Sequence, residues 1–599
     1  MNAKLFRLPF TLLISIISAV GLFFYFFFRI NPELIYQAQQ PVFFFDRLFW
    51  DEFRLQPGGA ILWLSRLAAQ LYYNRFLGSL LLALLLTLIP FLFHQTLKII
   101  VNDRPSPNEV FPFAWLPLPI LILLYSRYDF GLTAALGALI TLTVTFILFR
   151  FAPKNLVWRL VTFTALFAVL YWMTGGPAFL FAGLTALAWS TSRPPAAATS
   201  LVTALFLAWL GMQTIWLIRP QEAFTANLNF QTSLPFKLDV WFWICFLIVA
   251  AFYRLLSRKK TAQGKSVKTS RTLSLAVQSS VVLLALAAAL AAPIDAAQKK
   301  LLRLDYHARR GQWRQVLETV QDGGLINTYI GQFQANRALF HLGKLCSDMF
   351  TFEQRAGIDG LFLHESLRAA YPLSFSDLYF DLGYINEAQH WAHESLSVFG
   401  ETPWNLQRLA EVYLLKGETA AARKCLERLM RTVWHRRWAK QLLPLLERPQ
   451  EKWPDYLRLA KQNMPTTDFL FIPGEPEECL EHLLADRPNN RAAYEYALAA
   501  AMLLGKVGKL MNLTDRIEDF DYRAVPRHVE EAMLLFISNV GQKDHKLPAY
   551  GLSPATLPNY RQFLAVLEKY KGDKNAALPE LRRFSDTYWF YAMYRLKKQ

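Results

Sequence analysis

The sequence predicts an all-α protein in which a bundle of membrane-spanning helices is followed by a soluble helical domain. Apolar stretches of about 20 residues, the length that crosses a bilayer, recur through residues 1–293. From residue 294 to 599, apolar residues instead recur at helical spacing among residues that favour helices. The chain has 599 residues, too many for one hydrophobic core, so two domains are expected with a boundary near residue 293.

Nine apolar stretches are candidate spans, so the first domain is predicted to be a polytopic transmembrane bundle. The third and sixth stretches are short, and the third contains Pro117 and Pro119, so either could enter the membrane without crossing it. The first follows a basic start and is expected to remain as an uncleaved anchor. The nine stretches are Leu8–Phe28, Leu77–Leu97, Val110–Tyr125, Phe130–Phe149, Leu156–Met173, Ala178–Ser190, Ala197–Ile218, Asp239–Leu256 and Thr272–Ala292.

A basic loop, residues 254–271, predicts the orientation. It carries seven Lys or Arg and no acid. Lys and Arg collect on the cytoplasmic side of membrane proteins. With the N-terminus inside, the inner segments hold fifteen Lys or Arg and the outer segments eight. In a bacterium this predicts a multi-pass inner-membrane protein with a cytoplasmic N-terminus and a periplasmic domain at 294–599.

Charge and composition exclude several kinds of function. The soluble domain holds 41 Lys or Arg against 37 Asp or Glu, a balance that argues against a nucleic-acid partner. Ionisable residues are nearly missing from the middles of the spans, which argues against an ion-coupled carrier. His390 and His393 share one predicted helix face without a third ligand, so no metal centre is predicted.

Segments of the soluble domain share fixed residue offsets around a glycine. The clearest copy is LAEVYLLKGETAAARKCLERL, and FSDLYFDLGYINEAQHWA repeats it 34 residues earlier. A third copy lies near the C-terminus, and weaker ones centre on Gly311 and Gly505. The predicted packing positions are Leu409, Ala410, Tyr413, Gly417 and Ala422; Tyr379, Gly383 and Ala388; and Leu564, Ala565, Gly572 and Ala577.

This pattern resembles the tetratricopeptide (TPR) repeat, whose period is 34 residues. The resemblance implies a TPR-like α-solenoid whose groove binds a protein or peptide partner. Glycine permits the tight turn between paired helices, and small residues let those helices approach closely. The spacing fails around Gly343, where Asp348 replaces the expected Ala, and the Pro-rich stretch 471–476 is expected to interrupt the stack. A generic helical bundle is the alternative.

The first outer loop, residues 29–76, is the longest outer connection and carries candidate site residues. Residues 41–53 are rich in aromatics and contain Asp46, Asp51 and Glu52. Pro57-Gly58-Gly59 is expected to break the chain, and residues 60–73 to form an amphipathic helix. Such helices lie in the membrane interface, which would hold the acids just above the lipid headgroups.

This layout resembles the GT-C class of membrane glycosyltransferases. Chains of that class start inside, cross once and form a first outer loop of interfacial helices that bears essential acids. The protein O-mannosyltransferase branch carries an Asp-Glu pair in this loop, and Asp51-Glu52 matches it here. The His-Pro-Pro-Leu-Gly stretch that often follows the acids is replaced by Gln56-Pro57-Gly58-Gly59.

The resemblance implies transfer of a sugar from a polyprenyl-phosphate donor at the outer face. Asp51 or Glu52, with Asp46 nearby, would act as general base or hold a divalent metal. Arginines assigned to the outer face would clamp the phosphate: Arg54, Arg66, Arg127 and Arg219. The alternatives are solvated acids, snorkelling arginines and a non-enzymatic scaffold whose helical repeats bind a partner in secretion or envelope assembly.

Overall fold

The computed structural model describes residues 10–596 except 102–110, 152, 154, 191–192, 217, 231–236, 263–267, 468, 470–474, 521 and 541–552. The described residues form α-helices, short 3-10 and π segments and their connections, and they contain no strand. The prediction of an all-α protein is therefore confirmed. Part of the basic loop 254–271 and most of the stretch 471–476 lie outside the described residues.

The chain divides into two compact units. The first comprises Met1–Ala296 together with Arg431–Trp434, and the second comprises Ala297–Met430 and His435–Gln599. The boundary expected at 293 falls three residues before this division.

The first unit contains thirteen α-helices within its described residues, and seven helical segments are long and apolar enough to cross a membrane. These are Thr11–Ile30, Arg75–Val101, Thr133–Phe151, Leu156–Thr174, Pro194–Trp216, Leu238–Leu256 and Leu273–Ala291. The helices are α1 Phe10–Phe24, α2 Pro32–Gln39, α3 Arg47–Arg54, α4 Gly59–Ala69, α5 Arg75–Val101, α6 Pro117–Tyr125, α7 Thr133–Phe151, α8 Leu156–Thr174, α9 Ala178–Trp189, α10 Pro194–Gly211, α11 Pro220–Thr225, α12 Leu238–Ala262 and α13 Lys268–Ala291.

The two short apolar stretches form the shorter helices α6 and α9. A 3-10 turn, Pro112–Trp115, precedes α6, so the prolines begin helical elements instead of interrupting one. Most residues of both helices are buried inside the unit. Seven of the nine predicted spans therefore have full length, and the other two are short central helices.

Two arginines cap the ends of apolar helices. Arg29, at the end of the first span, donates to the carbonyls of Leu290 at 2.6 Å and Ala292 at 2.8 Å. Arg254 of α12 donates to the carbonyls of Ile100 at 2.8 Å and Ala188 at 3.2 Å. The last carbonyls of a helix have no partner within the helix, so each guanidinium satisfies groups that lipid could not.

The second unit consists of helix pairs. Its described α-helices are α14 Ala296–Arg309, α15 Trp313–Gly323, α16 Tyr329–His341, α17 Leu345–Asp348, α18 Asp359–Phe362, α19 Pro372–Asp381, α20 Ile385–Phe399, α21 Pro403–Lys416, α22 Thr419–Met430, α23 Arg436–Leu442, α24 Asp455–Asn463, α25 Pro476–Asp486, α26 Arg491–Leu504, α27 Val507–Thr514, α28 Arg527–Val540, α29 Thr556–Lys569, α30 Lys574–Leu581 and α31 Tyr588–Tyr594.

The predicted turn glycines join these pairs. Gly383 (φ +82°) lies between α19 and α20, and Gly417 (φ +78°) between α21 and α22. Gly311, Gly505 and Gly572 also have positive φ between paired helices. This left-handed conformation is accessible to glycine at little cost, which explains the repeated residue. At Gly343 the turn forms, but the second helix, α17, ends at Asp348 after four residues.

Most of the predicted packing positions of the two clear copies are buried. Buried residues there include Tyr379, Ala388, Leu409, Ala410 and Ala422, while Tyr413 is half-buried. The third copy differs. Ala565 of α29 is exposed and Leu564 is half-buried. The reason is that α29 packs through Phe563 and Val566 against Trp589 and Phe584. The packing role predicted for Ala565 is therefore wrong.

The first helices of the pairs form the core of the second unit. Residues 331–339 of α16, 372–380 of α19 and 492–503 of α26 are all buried. Helix α26 packs on α17 and α18, and its cap residue Asn490 donates to the carbonyl of Leu382 at 2.9 Å. In a TPR-like solenoid the first helices of the pairs would line an exposed groove. Here these helices are buried, so other parts of the same unit cover the face that would form the groove.

Candidate functional site

The segment 29–76, which the sequence predicts to be the first outer loop, is folded into three helices and a 3-10 turn. Helix α4 and the turn Gln70–Tyr73 cover the predicted amphipathic segment 60–73. Gly58 adopts a left-handed conformation (φ +74°) immediately before α4, where a break was predicted. Ile61, Ser65 and Ala69 are buried on one side of α4, which packs on α3, α7 and α8.

Backbone contacts at Gly58 fix this loop to the bundle. The Gly58 N–H donates to the carbonyl of Trp172 at 2.9 Å, and the Asn227 amide donates to the carbonyl of Gly58 at 2.9 Å. A Cβ atom at Gly58 would overlap the Asn227 amide nitrogen. Glycine is therefore required here for close approach as well as for its backbone angle.

Aromatic rings hold α3 against α4. The ring of Phe43 makes edge contacts with Phe49 at 5.5 Å and Trp63 at 5.0 Å between centroids. Trp50 meets Trp63 at 5.6 Å in the same T-shaped arrangement. Phe43 and Phe49 are buried, so α3, which carries Asp51 and Glu52, packs on an apolar cluster.

Asp46 has a structural task. Its carboxylate accepts a hydrogen bond from the Phe49 N–H at 2.6 Å and so caps the N-terminus of α3. It also pairs with Arg431, a residue of the same compact unit, at 3.1 Å. These two interactions occupy the carboxylate oxygens and fix the side chain, which argues against the catalytic role predicted for Asp46.

Asp51 and Glu52 do not converge on one point. Asp51 pairs with Arg54 Nε at 2.6 Å and lies 3.9 Å from Arg47 Nε, with 31% of its side chain exposed. Glu52 is exposed. Consecutive residues of a helix project about 100° apart, so these two carboxylates face different directions.

The predicted phosphate-binding arginines lie on four different elements or connections. Arg127 pairs with Asp129 at 3.0 Å, and Arg66 and Arg219 are exposed. Among these four arginines and within the described residues, Arg54 alone pairs with Asp51. The described residues also contain no group of three metal-ligating side chains, so Asp51 and Glu52 do not supply a metal centre by themselves.

The second unit contains a charged cluster that the sequence pattern did not reveal. The Asp377 carboxylate accepts from Arg309 at 2.6 Å and Arg408 at 2.8 Å, and lies 3.5 Å from Arg337. Asp381 pairs with Arg337 at 2.6 Å. All five side chains are at most 14% exposed. They come from four first helices, α14, α16, α19 and α21, whose faces are turned towards one another.

The cluster extends to its edges through weaker partners. His341 lies 3.0 Å from Asp381, and Arg408 also pairs with Glu411 at 2.9 Å. Burial alone would raise the pKa of Asp377, but the three guanidinium groups outweigh burial and hold that pKa below its usual value. Burial raises the pKa of Glu411, which has Arg408 as its cation. The sequence signal that could have revealed this cluster is the recurrence of Arg and Asp on the first helices of successive pairs.

In the part of the chain that the structure describes, the cysteines and histidines form no metal-ligating group. The four cysteines are free, with Cys346 and Cys479 buried. His393 Nε2 lies 2.9 Å from the hydroxyl of Tyr413, the half-buried repeat tyrosine.

The chain belongs to a family of unknown function, DUF6057, whose model matches residues 6–595. No curated protein and no solved structure matches the chain.

Proposed function

We propose that this chain is a multi-pass membrane scaffold that holds a rigid domain of TPR-like helix pairs on the outer side of a bacterial inner membrane, where that domain binds a protein partner. The observation that carries this proposal is the state of the acid-bearing loop. Asp46 caps a helix, Asp51 is neutralised by Arg54 and Glu52 faces solvent, so the loop resembles a structural support more than a reaction centre.

The contacts of Arg29 support the required topology. This arginine joins the end of the first span to the end of α13. The first outer loop and the chain that follows Ala292 would then leave the bundle at the same end. An odd number of crossings satisfies this, and the count is odd whether α6 and α9 both cross or neither does.

Contacts at both ends of the short helices favour nine crossings. Before α6, the Phe113 N–H donates to the hydroxyl of Tyr253, which neighbours the capping residue Arg254; after α6, the Tyr128 hydroxyl donates to the carbonyl of Ile30. Helix α9 starts beside the Gly176–Ala226 hydrogen bond and ends at the Ala188 carbonyl that Arg254 caps. Each short helix thus connects contacts at opposite ends of the bundle.

The proposed partner surface lies on the outside of the second unit, because the inner helices are buried. Tyr456 (44% exposed) and Leu459 (55% exposed) lie one turn apart on α24. The Tyr456 hydroxyl donates to Glu411 at 3.1 Å, which fixes the ring while leaving its face open. Exposed apolar side chains held in place at adjacent turns are typical of protein-binding surfaces.

Photo-crosslinking in cells tests the scaffold. A benzoylphenylalanine at position 459 should crosslink to a defined partner, and one at exposed position 565 of the same unit should not. Leu459→Glu should abolish complementation of a deletion strain, whereas Asp51→Asn with Glu52→Gln should complement it. If the acid variants fail to complement and Leu459→Glu succeeds, the scaffold proposal is wrong.

Sugar transfer from a polyprenyl-phosphate donor is the second candidate function. The Asp51–Arg54 pair on an aromatic support favours it, because a carboxylate beside a guanidinium could bind an acceptor hydroxyl and a phosphate together. In that mechanism Asp51 would take the proton of the acceptor hydroxyl. Purified chain in nanodiscs should then transfer a labelled sugar, and Asp51→Asn should reduce transfer at least 100-fold, on the order that general-base catalysis contributes.

A further inference from the structure

A strongly basic segment lies within the otherwise balanced stretch of residues 294–599. Residues 419–442, which form α22, α23 and the turn between them, carry seven Lys or Arg and one acid. The whole of 294–599 has a surplus of only four positive charges. The surplus is therefore concentrated in this one helix pair, and the rest of the domain is slightly acidic.

Four side chains of this segment form what we call the basic patch. Its members are Lys424 of α22 and Arg436, Arg437 and Lys440 of α23, all exposed. Arg436 and Lys440 are four residues apart and share a helix face, with Arg437 adjacent. Helices α22 and α23 pack on each other, so the four charges belong to adjacent helices.

No acid forms an ion pair with the basic patch in the described structure. Neighbours on α22 behave differently, since Arg423 pairs with Glu447 at 2.9 Å and Arg428 with Glu401 at 2.9 Å. Like charges left together repel and reduce stability unless an external anion offsets them, so this arrangement points to a ligand.

We propose that the basic patch binds the anionic headgroups of the membrane that anchors the chain. Helix α13 ends at Ala291 and α14 begins at Ala296, so at most about 18 Å of chain separates the last apolar helix from the start of α14. Exposed lysine and arginine near such a surface are attracted to phosphatidylglycerol phosphates, by about fivefold in affinity for each residue. The inference rests on the proposed membrane anchoring.

Lysine reactivity in nanodiscs tests the proposal with the full chain. Reductive methylation with formaldehyde and dimethylamine–borane uses uncharged reagents, and mass spectrometry reads each lysine separately. Methylation of Lys424 and Lys440 should be at least about fivefold slower in nanodiscs with 30% phosphatidylglycerol than in phosphatidylcholine alone. Exposed Lys571 and Lys574 of the same unit should react equally in both. Salt at 0.5 M should remove the difference, because it screens exposed charges.

Matched variants separate the basic patch from general charge. Arg436→Gln with Arg437→Gln should abolish the lipid-dependent protection of Lys424 and Lys440, because the loss of two basic residues lowers headgroup affinity about 25-fold. Arg582→Gln with Arg583→Gln removes an exposed arginine pair elsewhere in the unit and should leave the protection intact.

The outcomes distinguish the two proposals. A chain that fails to enter nanodiscs contradicts the proposed anchoring. An inserted chain whose Lys424 and Lys440 react alike in both lipids contradicts the lipid-binding patch. Protection in phosphatidylcholine nanodiscs by an added acidic peptide or oligonucleotide, without any effect of phosphatidylglycerol, would assign the patch to a different partner and overturn this inference.

Discussion

Two sets of buried or half-buried arginines, one in each unit, are held by different partners. In the first, Arg29 and Arg254 donate to backbone carbonyls at helix ends and need no acid for those bonds. In the second, Arg309, Arg337 and Arg408 surround Asp377 inside a packed core. One arrangement stabilises the ends of helices next to lipid, and the other joins four helices to one another.

The difference follows from the solvent that each unit faces. Where a helix end meets lipid, its last carbonyls have no water to bind, so a guanidinium fork is valuable even without a counter-charge. A charge buried in the core of a soluble domain is costly unless it is paired and hydrogen-bonded. Removing an acid should therefore harm the second unit more than removing a capping arginine harms the first.

Asp377→Ala should produce the largest effect. It leaves three buried guanidinium groups without their shared partner, which should lower the free energy of unfolding by about 3–5 kcal/mol. Thermal unfolding of the full chain in detergent would measure it. Asp455, which is 93% exposed and pairs with Arg458, offers the control, and Asp455→Ala should change stability by less than about 1 kcal/mol. Equal losses in both variants would contradict the pairing argument.

Arg254→Gln should come next. Its guanidinium joins the ends of α5 and α9, and a hydrogen bond to a charged group is worth about 1.5–3 kcal/mol. Arg254→Lys should restore only part of the loss, because an ammonium group cannot form the same planar fork. The Tm of each variant in detergent, compared with that of Arg150→Gln, would show it. Full rescue by lysine would mean that charge alone matters at this position.

The sequence predicted features that depend on local pattern, and missed those that depend on packing. Hydropathy located the seven long apolar helices, and the glycine offsets located the turns at Gly383 and Gly417 because a left-handed residue is a local requirement. Ala565 matched the same offsets yet is exposed, since its burial depends on what packs against α29. The pairing of Asp51 with Arg54 and the enclosure of α26 are likewise products of tertiary structure.

Glu531 is a second buried carboxyl of the same unit, and its pKa can be compared with that of Asp377. Three arginines surround Asp377, whereas within the described residues Glu531 pairs with one, Arg527. Burial raises the pKa of Glu531 from 4.5 to about 7, against the opposing effect of Arg527. The folded state then binds the proton more tightly than the unfolded state between these two pH values, so this carboxyl makes stability fall as pH rises from 4.5 to 7.

Glu531→Gln should remove that dependence. Relative to the unmodified chain, the variant should gain Tm progressively between pH 4.5 and 7 and no further above pH 7. Comparing the two chains cancels other titrating groups, including His528, whose pKa burial lowers to about 3. A difference in Tm that is constant across this pH range would contradict the raised pKa.

The smallest expected effect compares two turn glycines that the sequence treats as equivalent. Gly417→Ala places a Cβ in open space, so its cost is that of a left-handed alanine, about 1–2 kcal/mol. At Gly383 the added Cβ would lie 2.8 Å from the carbonyl oxygen of Asn463, so Gly383→Ala should cost distinctly more. Thermal unfolding of both variants would measure the gap. Equal costs would mean that the chain around Asn463 yields freely, whereas a larger cost at Gly383 would confirm that this turn is held from outside the repeat.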